Sequence, residues 1–255
     1  MSKQPFGVLV IHGFGSSLDC VNGLEPPIRA LGLPIIVPVL RGHNAESPEA
    51  LRGVTWHDWV DDAEEAFQRL CSDVERVIIV GHSMGGLVTL HLAAENHERI
   101  DSIVLAATAV QIVSPFAPGR PFNFLAPLVA RLIKNWNTPP VYADPSLTQY
   151  DTNYPWVPTD AALSLLEFTV NTRDILGQVD VPTLIMQSRK DSTVAPESAE
   201  IIYNGISTPQ EHKRISWFER TEHEMFRDCE SEATIQTVVD FVQEKAFGIG
   251  TVESS

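Results

Sequence analysis

The chain has 255 residues, which is enough for one large domain with a substantial buried core. Its hydrophobic fraction of 44% and charged fraction of 20% match ordinary globular usage and exclude a disordered or fibrous chain. The formal net charge of −15 argues against nucleic acid as a partner and against attraction to an anionic membrane, since both would repel the chain.

The cysteines give an expectation about the cellular compartment. Cys20, Cys71 and Cys229 are odd in number and show no C-x-x-C spacing, which argues against a disulfide framework or a zinc site. The apolar run near the N-terminus is too short for a signal h-region or a membrane span. We therefore expect a cytoplasmic monomer or homodimer without stable membrane insertion.

Short apolar runs recur along the chain and are mostly continuous rather than alternating, as is typical of strands buried on both faces of a parallel sheet. They cover residues 6–11, 34–39, 76–81, 101–107, 182–188 and 212–218. Helical patterns lie between them; residues 55–71, for example, begin at the predicted N-cap Thr55 and place apolar side chains on one side. This alternation predicts an α/β fold with a mostly parallel, doubly wound sheet.

Residues 111–159 interrupt this alternation. They are rich in proline and aromatic residues and show no parallel-strand pattern. Because a structureless loop of this length is uncommon in a compact domain, we predict a small, partly helical cap or lid insertion at the C-terminal edge of the sheet. Residues 1–110 and 160–255 would then form the core.

The stretch "GHSMG", residues 81–85, matches G-x-S-x-G between a predicted strand and a predicted helix, the setting of a nucleophile elbow. Such a turn holds Ser83 in a strained conformation with its hydroxyl above the sheet, and Gly81 and Gly85 avoid clashes across the turn. The backbone N–H of Met84 would face an oxyanion formed on a bound carbonyl. The alternative is that Ser83 merely caps the helix.

Four motifs carry a resemblance to a known family: "HGFGSS" after the first predicted strand, "RGHN" after the second, "GHSMGG" at the elbow, and "SRKDSTVAPESAEIIYNGI" with "FERTEHEMF" toward the end. With these motifs the chain closely resembles the α/β-hydrolase fold family, in particular its bacterial carboxylesterases and monoacylglycerol lipases. The resemblance spans nearly the whole chain and is weakest in the insertion. It implies the α/β-hydrolase fold, with a sheet of about six or seven strands because the strands that usually precede the first motif strand are missing. It also implies the order nucleophile, acid, histidine along the sequence.

Asp191 and His223 complete the predicted catalytic triad. Both follow predicted strands and therefore fall at the edge where open α/β sheets place their sites. His223 would take the proton of Ser83, and Asp191 would hold the imidazole in the required tautomer. Asp174 and Asp180 are rival acids, although Asp180 precedes its strand and would lie at the wrong edge. Asp191 and His223 could instead be solvated loop residues.

The resemblance also implies an oxyanion hole formed by the backbone N–H groups of Phe14 and Met84, with His12 ordering the loop. The predicted substrate-binding residues are Gly13, Phe116, Phe124, Leu128 and Trp136. The four from the insertion would line an apolar acyl pocket, or alternatively form the small core of the lid. No pair of histidines has metal-ligand spacing with a supporting carboxylate, and "GFGSS" lacks a phosphate-binding lysine, so we predict no metal and no cofactor.

Together these features predict a serine carboxylesterase that cleaves small-molecule esters of short to medium acyl chain through an acyl-enzyme intermediate. A monoacylglycerol lipase is the main alternative, because its motifs are the same and only the acyl pocket and lid would differ. A thioesterase or amidase could use the same triad. A ligand-binding protein that has lost catalysis is the alternative from a different class, and the presence of all triad residues in order argues against it.

Overall fold

The computed structural model describes residues 3–96, 98–125 and 131–248. Within these ranges the strands are β1 (Gln4–Ile11), β2 (Ile35–Ile36), β3 (Val74–His82), β4 (Ile100–Ala106), β5 (Asn135–Asn137), β6 (Trp156–Pro158), β7 (Thr183–Ser188) and β8 (Lys213–Phe218). The helices are α1 (Asp19–Asn22), α2 (Glu25–Ala30), α3 (Trp56–Asp73), α4 (Met84–Glu95), α5 (Thr159–Ile175), α6 (Glu197–Gly205) and α7 (Ser231–Phe247). Short 3-10 turns cover Pro48–Leu51, Asn123–Leu125, Pro145–Tyr150, Leu176–Gln178 and Gln210–His212.

Six of the strands form one parallel sheet in the order β2-β1-β3-β4-β7-β8. In β1, Leu9 and Ile11 face an apolar cluster shared with α3 and α4, whereas Val8 and Val10 face a second cluster shared with α2 and α7. Burial on both faces explains why the strand sequences are continuously apolar. The predicted α/β-hydrolase fold with a mostly parallel, doubly wound sheet of six or seven strands is confirmed.

Helix α3 begins where its sequence predicts. The backbone N–H and the hydroxyl of Thr55 both donate to the carboxylate of Asp58, at 2.8 Å each. Trp59, Ala63 and Phe67 lie on the buried side of the helix and contribute to the core. Asp58 is therefore a capping group of this helix.

Strand β2 is shorter than the predicted run 34–39, since only Ile35–Ile36 pairs with β1. Pro34 directly precedes this pair and Pro38 follows one residue beyond it, and neither proline has a backbone N–H to donate to a ladder. Proline is accommodated here because β2 is the edge of the sheet.

The predicted insertion 111–159 contains an antiparallel pair, β5 with β6, instead of a parallel strand. The backbone N–H of Thr159 donates to the carbonyl of Lys134 at 2.9 Å, so that the start of α5 is joined to the segment before β5. Along the described part of the chain, no helix has both the length and the apolar character needed to cross a membrane.

Candidate active site

The sheet order brings together the loops that carry the predicted site. β1 and β3 are neighbours, with Ile11 paired to Gly81, so the loop after β1 reaches the elbow after β3. A Cβ atom added to Gly13 would lie 3.3 Å from the Cβ of Ser83. β7 and β8 are also neighbours, and the loops after them carry Asp191 and His223. These loops therefore meet at the carboxyl edge of the parallel strands.

Ser83 occupies the strained position that a nucleophile elbow requires. Its φ of 54° and ψ of −114° lie in a region that non-glycine residues rarely adopt. A Cβ atom on Gly81 would overlap the carbonyl oxygen of Gly85, and one on Gly85 would overlap that of Ile11. The two glycines are therefore required by the close approach of backbone on both sides of the turn.

A chain of hydrogen bonds joins the three predicted triad residues. Ser83 Oγ lies 2.9 Å from His223 Nε2, and His223 Nδ1 lies 2.9 Å from Asp191 Oδ2. The other carboxylate oxygen of Asp191 accepts the backbone N–H groups of Thr193 at 2.9 Å and Val194 at 2.8 Å. With Nδ1–H donating to the carboxylate, Nε2 presents its lone pair to the serine hydroxyl.

Electrostatics supports this proton arrangement. Burial lowers the pKa of His223, but the charge of Asp191 and the hydrogen bond to it outweigh burial, so the pKa lies above its usual value. Burial raises the pKa of Asp191, but the charge and hydrogen bond of His223 outweigh burial, and the pKa falls below its usual value. The pair therefore favours an ionised carboxylate beside an imidazole that readily accepts a proton.

The loop that carries His223 is held from two sides. His82 Nε2 donates to the backbone carbonyl of His223 at 3.0 Å. The buried carboxylate of Asp228 accepts the backbone N–H groups of Glu222, at 2.7 Å, and of Ala143, at 2.8 Å. These bonds connect the histidine loop to the elbow and to the predicted insertion.

The predicted oxyanion donors lie at the same edge. Met84 is the first residue of α4, where backbone N–H groups have no partner within the helix. Phe14 lines the cavity that contains Ser83. Gly15 follows with a φ of 67°, and its carbonyl accepts the backbone N–H of Tyr154 at 2.8 Å. The loop after β1 is thus tied to the predicted insertion.

Ser83 lies in one of two neighbouring cavities. One of about 280 Å³ contains Ser83 and His223, and a second of about 220 Å³ is almost entirely apolar. Both are lined by Phe14, Ile112, Thr138, Leu165 and Thr193. The shared wall makes the two cavities adjacent. Within the described ranges, no group of three or more His, Cys, Asp or Glu side chains is placed to hold a metal ion.

The predicted substrate-binding residues are distributed unevenly. Gly13 lines the cavity with Ser83, whereas Phe116 and Trp136 line the apolar cavity with their rings in edge contact, 5.7 Å apart. Phe124 is 74% exposed and is not among the described residues that line either cavity. Leu128 lies outside the described residues. Apolar composition in the insertion does not fix which way each side chain faces, and Phe124 faces solvent.

The sequence interpretation missed lining residues of two kinds. Helix α5 contributes to the wall of the apolar cavity through Ala162, Leu163, Leu165 and Leu166. Polar side chains of Asp151, Asn153 and Glu224 line the cavity with Ser83. The apolar run in α5 and the position of Glu224 next to His223 are both visible in the sequence. Neither shows which way the side chains face until the fold is known.

Comparisons with known proteins assign the class. The family described as serine aminopeptidase, S33 matches residues 4–230. The chain is 29% identical to the thermostable monoacylglycerol lipase of Bacillus sp. (strain H-257), over 95% of this chain and 92% of the relative. It is 24% identical to a carboxylesterase of Bacillus subtilis (strain 168), with 92% of each chain covered.

Solved structures agree with this assignment. A structure of the metagenome-derived lipolytic enzymes LipS and LipT superposes with a TM-score of 0.82 at 26% identity, covering 95% of each chain. A soluble variant of the monoglyceride lipase from Saccharomyces cerevisiae shares the fold, with a TM-score of 0.77 at 17% identity, over 99% of this chain and 89% of that one. The fold and the elbow define an α/β hydrolase. Within that class, the chain belongs to the S33 family.

Proposed function

We propose that this protein is a carboxylesterase that hydrolyses esters of short to medium acyl chain through an acyl-enzyme intermediate on Ser83. The observation that carries the proposal is the hydrogen-bonded series from Ser83 through His223 to Asp191, with the serine in a cavity beside an apolar cavity. The relatives named carboxylesterase and monoacylglycerol lipase support ester hydrolysis.

The proposed roles follow from the positions of the protons. As Ser83 Oγ attacks the ester carbonyl carbon, His223 Nε2 takes the hydroxyl proton. The tetrahedral intermediate then expels the alcohol, whose oxygen receives that proton from His223. Water attacks the acyl-enzyme with His223 again acting as base, which releases the acid and restores the serine. Asp191 keeps Nδ1 protonated and stabilises the imidazolium through both steps.

We assign the oxyanion hole to the backbone N–H groups of Phe14 and Met84. Phe14 lies in the loop after β1, and Met84 begins α4 directly after Ser83. Backbone donors that are fixed before reaction stabilise charge on the carbonyl oxygen without reorganisation. Removing one such donor typically costs about 10²- to 10³-fold in kcat. The dipole of α4 adds to the stabilisation because its N-terminus begins at Met84.

The cavities suggest how the substrate divides. The apolar cavity, with Phe116 and Trp136 in its wall, would take the acyl chain, and the cavity containing Ser83 would take the alcohol. The limited volume of the apolar cavity, about 220 Å³, favours short to medium acyl chains. Residues 111–159 would then serve as the cap, since they contribute to both walls.

A specific observation also favours the monoacylglycerol lipase alternative. Asp151, Asn153 and Glu224 line the cavity assigned to the alcohol, and such side chains accept hydrogen bonds from hydroxyl groups. A leaving alcohol that keeps free hydroxyls would match them. Hydrolysis of monoacylglycerols faster than of simple alkyl esters with the same acyl chain would favour this alternative.

For its setting we propose the cytoplasm, with the protein acting as a monomer or homodimer and without a cofactor. The cysteines support a reducing compartment, since all three are free thiols, and Cys20 and Cys71 are buried. Fractionation and light scattering of the full chain test the location and the assembly.

The test is the initial rate on p-nitrophenyl esters from acetate to palmitate for wild type, Ser83→Ala and Ser17→Ala. We expect a rate maximum at short or medium chains, a loss of several orders of magnitude in Ser83→Ala, and near wild-type rates in the Ser17→Ala control. A maximum at long chains would favour the lipase. Equal inactivity of wild type and Ser83→Ala on every ester would reject ester hydrolysis and direct testing to thioesters and amides.

A further inference from the structure

The peptide between Gly13 and Phe14 is held by two hydrogen bonds to one atom. The carbonyl oxygen of Gly13 accepts from His12 Nδ1 at 2.8 Å and from the hydroxyl of Ser16 at 2.7 Å. In a planar trans peptide the N–H points away from the C=O, so bonds to the Gly13 oxygen fix the direction of the Phe14 N–H. We propose that Ser16 is a positioning residue that, with His12, holds the Phe14 N–H in the orientation that receives the oxyanion.

The histidine half of this arrangement has a defined tautomer. His12 Nε2 accepts the backbone N–H of Leu40 at 3.1 Å, so the proton is on Nδ1, which donates to Gly13. Burial lowers the pKa of His12 to about 4. The hydrogen bond to Gly13 raises this pKa and the charge of His82 lowers it, but burial is the largest effect. The ring is therefore neutral near neutral pH and remains both a donor and an acceptor.

The serine half is equally constrained. Ser16 is only 3% exposed, and its oxygen accepts the thiol of Cys20 at 3.2 Å. Burial raises the pKa of Cys20 to about 12, with a further contribution from the charge of Glu224, so the sulfur keeps its proton. The hydroxyl proton of Ser16 is thus committed to the Gly13 carbonyl, and the series of donors polarises the peptide whose N–H is at Phe14.

The position of this peptide gives the bonds a functional consequence. Gly13, Phe14 and Ser16 line the cavity that contains Ser83. An alanine at position 16 would leave the Gly13 carbonyl with one donor and free the peptide to rotate. Because the oxyanion exists only in the transition state, the loss falls on kcat and leaves substrate binding nearly unchanged.

The inference rests on the proposed ester hydrolysis, and its test combines kinetics with a measurement that needs no activity. Ser16→Ala is compared with the matched control Ser17→Ala, whose hydroxyl lies 2.7 Å from that of Thr152. We expect Ser16→Ala to lower kcat about 10- to 100-fold, less than deletion of an oxyanion donor, with KM within about twofold. Ser16→Thr, which keeps the hydroxyl, restores most of kcat, and Ser17→Ala changes neither constant appreciably.

The second measurement is the carbonyl ¹³C resonance of Gly13 and the amide ¹⁵N resonance of Phe14 in labelled free protein. Both shift in Ser16→Ala and stay in place in Ser17→Ala if the serine bonds this peptide. Unshifted resonances, or equal losses of kcat in the two variants, would overturn the inference. A wild type that hydrolyses no ester would reject the proposed function, and the resonances would still decide whether Ser16 holds the peptide.

Discussion

His223 and Asp191 perturb each other in opposite directions, which makes the pH dependence of activity a property of the pair. In the proposed mechanism His223 must be neutral to take the serine proton, and its pKa is raised above the ordinary 6.5. We therefore expect activity to be lost as pH falls through a value above 6.5, at a higher pH than for an isolated histidine. The dependence of kcat/KM on pH for the free enzyme measures this acidic limb.

Asp191→Asn tests how much the carboxylate of Asp191 contributes to the raised pKa of His223. Without the charge of Asp191, burial dominates and lowers the pKa of His223, so the acidic limb moves to lower pH while the maximal rate falls by orders of magnitude. An acidic limb that stays in place in this variant would mean that another carboxylate sets the pKa.

Gly85 gives a prediction about stability at the residue scale. A Cβ atom there would overlap the carbonyl oxygen of Ile11, a backbone atom that cannot move without shifting β1. We expect Gly85→Ala to lower the free energy of unfolding by about 1–3 kcal/mol, or to prevent folding. The measurement is urea denaturation.

The control for this prediction is Gly177→Ala. A Cβ atom at Gly177 would meet no atom within 4 Å. We expect a change of no more than about 0.5 kcal/mol. Equal stabilities for Gly85→Ala and Gly177→Ala would show that the elbow tolerates a side chain, and would contradict the close approach of Gly85 to the backbone of Ile11.

At the scale of elements, the sequence predicts structure best where buried apolar residues follow a regular local pattern. The strands and α3 could be predicted because their apolar patterns are local, and Ser83 because the glycines around it reflect a local turn. The pairing of β5 with β6 could not be predicted, because each strand has only three residues and residues 138–155 separate them along the chain. The exposure of Phe124 could not be predicted either, because the direction of its side chain depends on tertiary packing.

The segment before β6 illustrates how such packing builds the site. The hydroxyl of Tyr154 accepts the backbone N–H of Ala45 at 2.9 Å and donates to the carbonyl of Gly42 at 3.0 Å. Its own backbone N–H donates to Gly15. One buried tyrosine therefore joins the predicted insertion to the loops after β1 and β2.

Tyr154→Phe tests this connection. The substitution keeps the ring and the backbone bond to Gly15 but removes the hydroxyl, so we expect a loss of about 1–2 kcal/mol in the free energy of unfolding. Tyr150→Phe is the matched control, because Tyr150 is 67% exposed and its hydroxyl is hydrated in the folded and unfolded chain alike. Equal unfolding midpoints for the two variants would contradict the role given to the Tyr154 hydroxyl.

For the whole molecule, buried histidines and the net charge act against each other as pH falls. Burial lowers the pKa of His12 and of His91 to about 4 each, and it also lowers those of His43 and His82. Each such group stabilises the fold fully above its unfolded pKa near 6.5, and this contribution is lost as pH falls toward the folded value. His223 has the opposite sign, because its raised pKa favours the folded state at low pH. Protonating carboxylates also reduces the repulsion within a chain of net charge −15.

When salt screens the surface charge, we expect the destabilisation from protonating the buried histidines to exceed the stabilisation from reduced charge repulsion. The shift of His12 alone corresponds to about 3 kcal/mol between pH 6.5 and 4. The free energy of unfolding in urea, measured at about 0.5 M salt, should therefore decrease steadily from about pH 7 to 4.5. His91→Gln should reduce this slope, whereas His212→Gln, at an exposed position, should leave it unchanged. A stability that stays level or rises on acidification would mean that these histidines are not held neutral, and that relief of charge repulsion dominates the acid response of the fold.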